Sequence, residues 1–337
     1  MIDWARPLPE RGRVDAATFA NEIAPGDTPI VLRGQVSSWP AVAAAAGGLE
    51  AIARYLVGFD QGRAVQVMVG PPEIAGRFFY RDDWQGFNFR RDSVTIRELV
   101  GELLRLSQDP QAPAIYAGSA PTGEHLPAWD EANLLDLPLP NAQARIWIGN
   151  ATRVATHYDG SPNLACVVAG SRRFLLFPPD QLSNLYVGPL DRTMAGQPAS
   201  MVDPDAPDLT RYPRFAEAMR HAMVAELGPG DAIFMPALWW HNIRAIGPFN
   251  VLVNYWSERD DQSSPFVAMV HALMAVRDLP ARERRVWRNW FEHYVFAEES
   301  AAVADHLPDA VRGVLGRPST ERTERIRQYL LRALSGR

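Results

Sequence analysis

From residue 145 onward the chain is written in short apolar runs that stop and restart at turn residues. "RIWIGN", "NLACVVAG", "RRFLLFPP", "DAIFMP" and "NVLVNYW" are each bounded by Gly, Pro, Asn or Asp. Runs of this length, rich in β-branched and aromatic residues, read as strands. Several strands in succession, with no long helix between them, predict an antiparallel sandwich or barrel. In "LGPGDAIFMP" a Pro-Gly-Asp turn feeds a strand directly. Residues 203–226, rich in Asp and Pro and then helical in pattern, read as an insertion on this β core.

The first 145 residues alternate between the two periods. Residues 16–24 read as a helix, "TPIVLRG" as a buried strand, "GGLEAIARYL" as a helix and "RAVQVMVG" as a strand. "SVTIRELVGELLRL" has helical spacing with Ser93 as its expected N-cap, and "PAIYAGS" is a short strand. After about residue 262 the pattern is helical again. "PFVAMVHALMAV", "ARERRVWRNWFEHYVF" and "ERTERIRQYLLRAL" are amphipathic and carry aromatics. These helices either pack on a core of their own or form an interface, because exposed Trp and Phe are otherwise a liability. The expected division is 1–262 for the β domain with its N-terminal elaboration and 263–337 for a helical region.

Composition narrows the function classes. With 337 residues, 47% of them hydrophobic and 22% charged, the chain has the material for a sizeable core. A net charge of −5, without a run of basic residues, argues against nucleic acid as a partner. The single cysteine, Cys166, lies in an apolar run, excludes an intrachain disulfide and suits a reducing compartment. A buried structural thiol is expected there, with a reactive one as the alternative. The first residues lack an apolar secretory segment, and no stretch of 18 apolar residues appears. A cytoplasmic protein with no membrane role is the expectation.

The chemistry concentrates in "THYDG" and "WHN". On a strand, His157 and Asp159 point to the same face, and Tyr158 to the other. An isolated His-x-Asp is a weak signal, but here Gly160 and Pro162 open a turn beside it. His241 sits just past another predicted strand, and strands distant in sequence lie side by side in an antiparallel barrel. Two imidazoles and one carboxylate are the ligand set of non-haem Fe(II) oxygenases. Zn²⁺ takes the same ligands in a tetrahedral site with one open position. His125, His221, His271, His293 and His306 have no partner at ligand spacing.

Taken together, "TPIVLRGQVSSWP", "RFFYRDDWQGFNF", "AIYAGSAP", "RIWIGNATRVATHYDGSPNLACVVAGSRRFLLFPP", "LGPGDAIFMPALWWHNI" and "NVLVNYW" resemble the JmjC-type, cupin-like oxygenases, the group that includes the asparaginyl hydroxylase acting on hypoxia factors. The resemblance covers about residues 15–260 in order. It implies a mainly β fold with flanking helices, a double-stranded β-helix (jelly roll) as the core. It implies Fe(II) held by His157, Asp159 and His241, with 2-oxoglutarate as co-substrate decarboxylated to succinate. Asn163 stands where the family has an asparagine near the open metal positions. Arg172 stands where the family has a lysine that grips the distal carboxylate of 2-oxoglutarate, a departure that keeps the charge and adds a second parallel hydrogen bond. Arg173 is expected to face the other way. Tyr116 resembles the tyrosine that meets the same carboxylate, and Asn254 a polar residue of the last strand. Val154 replaces a family threonine, with Thr156 or Thr152 as stand-ins for its hydroxyl. Trp239 and Trp240 are expected to pack beside the metal, one of them walling a substrate groove. The implied substrate is a protein, peptide or small molecule, and the C-terminal helices resemble in position those that form a homodimer. Two other readings stay open: a non-catalytic scaffold that kept the fold, and a cupin metalloenzyme that uses no keto acid.

Overall fold

The computed structural model describes residues 2–257, 264–299 and 302–335. The chain divides into two compact units, Met1–Glu258 and Arg259–Arg337. Within the first unit the strands run in chain order β1 Arg6–Pro7, β2 Glu10–Arg11, β3 Ile30–Leu32, β4 Ala64–Gly70, β5 Arg77–Phe78, β6 Arg90–Thr95, β7 Ala114–Pro121, β8 Gln143–Gly149, β9 Arg153–Tyr158, β10 Asn163–Phe177, β11 Met223–Leu227, β12 Ala232–Met235 and β13 Trp240–Trp256.

Two of these strands are much longer than the sequence runs suggested. "NLACVVAG" and "RRFLLFPP" join into β10, and the His241 stretch joins "NVLVNYW" to make β13. Gly and Pro, read as strand ends, instead sit at bends. The β10–β13 register shifts between Val167 and Ser171, and Gly170 adopts φ +72°. A Cβ at Gly170 would lie 2.2 Å from Asn250 Oδ1, so only glycine allows this approach. Each long strand therefore runs through two sheets. One half of the pair continues into β12 and β3 on one side and β8, β7, β4 and β6 on the other. The other half continues into β11 and β1 on one side and β9 and β5 on the other. Two sheets, antiparallel except at the short edge strands β1, β2 and β5, share these bent strands and make the double-stranded β-helix.

The bend also reverses which residues face inward. Before it, Ala165 and Val167 point into the barrel, while Leu164, Cys166 and Val168 pack outward in the main core. After it, Phe174 and Leu176 point inward, while Leu175 and Phe177 pack outward. An extra residue at a bulge shifts the two-residue period by one, and this shift brings Arg172 inside. Cys166 is fully buried and burial pushes its thiol pKa up, which bears out a structural thiol.

Helices Pro40–Ala46, Leu49–Phe59 and Ile96–Arg105 supply Val42, Ile52, Leu56, Leu99 and Leu103 to that main core. The last helix starts two residues later than expected. Ser93 belongs to β6, paired with Gln66, and Thr95 caps the helix in a capping box with Glu98. The 203–226 segment ends not in helix but in β11, after a short helix Phe215–His221. The second unit contains helices Pro265–Ala275, Ala281–Tyr294 and Thr320–Ser335, and none of the three buries a residue. Among the described residues no helix is long and apolar enough to cross a membrane.

Candidate metal centre and anion pocket

β9 and β13 are antiparallel neighbours, and His157 stands directly opposite His241. Cross-strand partners present their side chains on one face. The two imidazole rings accordingly lie 4.4 Å apart between centroids. Asp159 follows β9 at the turn that Gly160 opens, and its Oδ2 comes within 3.7 Å of His241 Nε2. Ligand atoms of His157, Asp159 and His241 all lie within 4.8 Å of one another, and no other group of this kind occurs among the described residues.

The surroundings select the ligand atoms. His157 Nδ1 lies 2.9 Å from the Ala155 carbonyl, and His241 Nδ1 lies 3.0 Å from the Trp239 carbonyl. A carbonyl only accepts, so each Nδ1 carries the proton and each Nε2 keeps its lone pair for a metal. Burial, seconded by the neighbouring His157, lowers the His241 pKa to about 4, so that imidazole is neutral at pH 7. Burial works to raise the Asp159 carboxyl. The two imidazoles and hydrogen bonds from Trp256 and Asn163 outweigh it, and its pKa falls below the ordinary value. The neutral His241 imidazole and the Asp159 carboxylate thus stand ready without losing protons.

These three side chains open onto a cavity of about 300 Å³. Arg172 and Tyr116 line the same cavity. Arg172 is 2% exposed, and its Nε and Nη2 have no hydrogen-bond partner. Burial works against the guanidinium charge, and only the Tyr116 hydroxyl, which accepts a hydrogen bond from it, offsets that cost. Burial holds the Tyr116 hydroxyl protonated, with its pKa raised to about 12. Its own proton is therefore available to donate. A buried cation with unpaired donors and no carboxylate beside it costs free energy unless an anion arrives. The donor set fits a carboxylate, which Arg meets through two parallel hydrogen bonds.

Other expected residues fall in different places. Asn163 and Asn254 line the cavity, and so does Val154. Thr156 and Thr152 are buried but do not line it. Their backbone carbonyls instead accept from Ser200 and Ala245. Arg173 faces out, paired with Asp205. Trp240 packs against Tyr158 on the outer side, and Trp239 donates to the Asp27 carbonyl. Neither walls the cavity; Trp147 and Trp256 do. Sequence reasoning passed over both, although each lies in a stretch that carries the family resemblance. The loop of Met194, Ala195 and Gln197 forms another part of the wall and is tied down by Arg91, which donates to the Met194 carbonyl.

A jelly roll that gathers two imidazoles, one carboxylate and a buried arginine around one cavity is a cupin with a candidate metal site. The sequence matches the cupin-like domain family over residues 16–263, and the chain belongs to that family. The similarity extends to tRNA wybutosine-synthesizing protein 5 of Danio rerio, 37% identical over 131 residues, 36% of this chain and 37% of that one. Lysine-specific demethylase JMJ31 of Arabidopsis thaliana is 33% identical over 119 residues, 35% of this chain and 21% of that one. Jumonji C domain-containing protein 5 of Drosophila melanogaster is 36% identical over 115 residues, 34% of this chain and 27% of that one. The resemblance to JmjC-type, cupin-like 2-oxoglutarate oxygenases is thereby borne out, while the matches span only 21–37% of the length of these relatives.

Proposed function

We propose that the protein is an Fe(II)- and 2-oxoglutarate-dependent oxygenase that hydroxylates a protein side chain or a small molecule. His157, Asp159 and His241 would hold the metal, and Arg172 with Tyr116 would hold the distal carboxylate of 2-oxoglutarate. Bound together, the metal and keto acid supply dioxygen activation coupled to decarboxylation to succinate. The chain's own part is orientation. The two backbone carbonyls fix the imidazole tautomers, Asn163 and Trp256 fix the Asp159 carboxylate, and the aromatic walls exclude water. The observation that carries this reading is the buried Arg172, whose unpaired donors share a cavity with the imidazole–carboxylate set.

The test is aerobic incubation of the purified chain with Fe(II), ascorbate and 2-oxoglutarate. Succinate should form without added substrate, and should need both metal and keto acid. No succinate from a protein that binds metal would favour the scaffold reading. Metal-dependent turnover that ignores 2-oxoglutarate would mark the cupin metalloenzyme instead.

A homodimer through the C-terminal helices belongs to the same proposal. Trp287, Trp290 and Tyr294 form one aromatic stripe along Ala281–Tyr294, with ring centroids 5.9 and 5.5 Å apart. Helices that bury nothing cannot hold a unit together alone. A second copy of the same helices would cover the stripe. Light scattering at micromolar concentration should give the dimer mass; a monomer mass defeats the idea.

A further inference from the structure

We propose that Trp147 is a positioning residue that holds the Asp159 carboxylate in place through a directed chain of hydrogen bonds. The inference rests on the metal-centre reading above and goes one layer beyond the ligands. Trp147 Nε1 donates to Asn254 Oδ1 at 2.6 Å. Asn254 Nδ2 donates to Asn163 Oδ1 at 3.2 Å. Asn163 Nδ2 donates to Asp159 Oδ2 at 2.9 Å, and Trp256 Nε1 donates to the same oxygen at 3.0 Å.

The chain has a fixed direction because its ends cannot reverse. An indole N–H only donates and an ionised carboxylate only accepts. Between them each asparagine must turn its oxygen toward Trp147 and its amino group toward Asp159. An amide alone has two nearly equal orientations, and here both ends choose the same one. Asn254 and Asn163 are 1% and 6% exposed, so water cannot readily take over a lost link. Without the indole N–H, Asn254 Oδ1 would be a buried acceptor with no donor, and the amides would lose their common direction.

The indole is also built into its position. Trp147 stacks on Tyr116 at 5.7 Å and 27°, next to the hydroxyl that meets Arg172. A Cβ at Gly118 would lie 2.8 Å from Trp147 Cζ3 and 3.4 Å from Tyr116 Cε1, so glycine leaves room for both rings. One side chain thus braces the anion anchor with its face and the metal ligand with its N–H.

The test titrates Mn(II) alone into the full chain, the Trp147→Phe and Asn254→Leu variants and the double variant, each checked for fold by circular dichroism. Phenylalanine keeps a ring against Tyr116 and removes the donor together with part of the contact on Trp256, whereas Asn254→Leu leaves the indole whole. Outer partners of metal ligands are worth about tenfold or more in affinity, so each single variant should bind Mn(II) about tenfold more weakly. Two cuts in one chain should not add, so the double variant should be no weaker than the weaker single. The Co(II) absorption bands should also shift in both single variants, since the carboxylate is held differently; a merely structural ring would leave them in place in Asn254→Leu, which keeps the indole and its contact on Trp256. Trp147→Phe binding Mn(II) like the wild type overturns the inference, and so do losses that sum in the double variant. Should Trp147→Phe not fold, Asn254→Leu decides alone, and unchanged affinity there overturns it equally. A wild-type chain that binds no Mn(II) is a separate result: it removes the metal-centre reading itself.

Discussion

Asp159→Ala is expected to abolish both metal binding and succinate formation. The loss of Mn(II) affinity should exceed the roughly 100-fold that marks the upper range for outer partners, because a charged ligand is removed outright. Two imidazoles alone bind a hard divalent ion poorly, since carboxylate oxygen is the part of this set that suits it best. Stability should fall as well. Trp256 Nε1 and Asn163 Nδ2 both donate to Asp159 Oδ2, and alanine leaves both donors without an acceptor. An unsatisfied buried donor costs about 1–3 kcal/mol, less where the cavity admits water. Calorimetric titration with Mn(II) and a urea melt of the same variant read the two effects separately. Retained micromolar affinity for Mn(II) would sink the assignment of Asp159 as a ligand, whatever happened to turnover.

How far the sequence alone could reach is clearest at particular residues. His157 and Asp159 were legible as a pair because a strand's two-residue period and the Gly160 turn are local. Nothing local links them to His241, 84 positions away; only the order of the family motifs joined them, and the β9–β13 register shows why they meet. Alternation by itself could not say which of Arg172 and Arg173 faces the cavity. The count of inward residues is reversed at the Gly170 bulge, and a bulge is set by the approach of Asn250 from another strand. The tryptophans misled for a related reason. Trp239 and Trp240 adjoin His241 in sequence, yet one precedes the strand and the other turns to Tyr158. Trp147 and Trp256 adjoin no ligand in sequence and wall the cavity. Their signal was present but indirect: in a barrel whose interior is polar at one end, the alternate residues Arg145, Trp147 and Gly149 share a face, and the aromatic among them must point somewhere useful or be wasted on solvent. Thr95 in place of Ser93 as the helix cap was readable from Thr-x-x-Glu, since Glu98 completes the capping box only from that position.

The second large effect has two opposite signs. Arg172→Met should raise the stability of the ligand-free protein while nearly eliminating its affinity for 2-oxoglutarate. The guanidinium is buried, pairs with no carboxylate among the described residues and leaves Nε and Nη2 unpaired. Replacing a poorly compensated buried charge by an apolar chain of similar length is neutral or stabilising, by about 1–4 kcal/mol in favourable cases. Methionine also adapts to an irregular space, so the packing cost is small. Tyr116 loses one partner, but its hydroxyl can turn its proton toward the cavity. Against this, two charge-assisted hydrogen bonds to a carboxylate are worth about 3–6 kcal/mol together, which corresponds to roughly 10²–10⁴ in affinity. The melting temperature without ligand should therefore rise, and the upward shift that 2-oxoglutarate with Mn(II) gives the wild type should vanish. Arg172→Lys separates charge from geometry: it restores the cation but offers a point charge instead of a planar fork, so it should recover only part of the ligand-induced shift. A methionine variant that melts lower than the wild type would show that Arg172 is held by interactions the folded chain already completes. Unchanged affinity for 2-oxoglutarate would place the carboxylate elsewhere. The combination of higher stability and lost binding is what a site keeps when a residue is retained for a ligand and not for the fold.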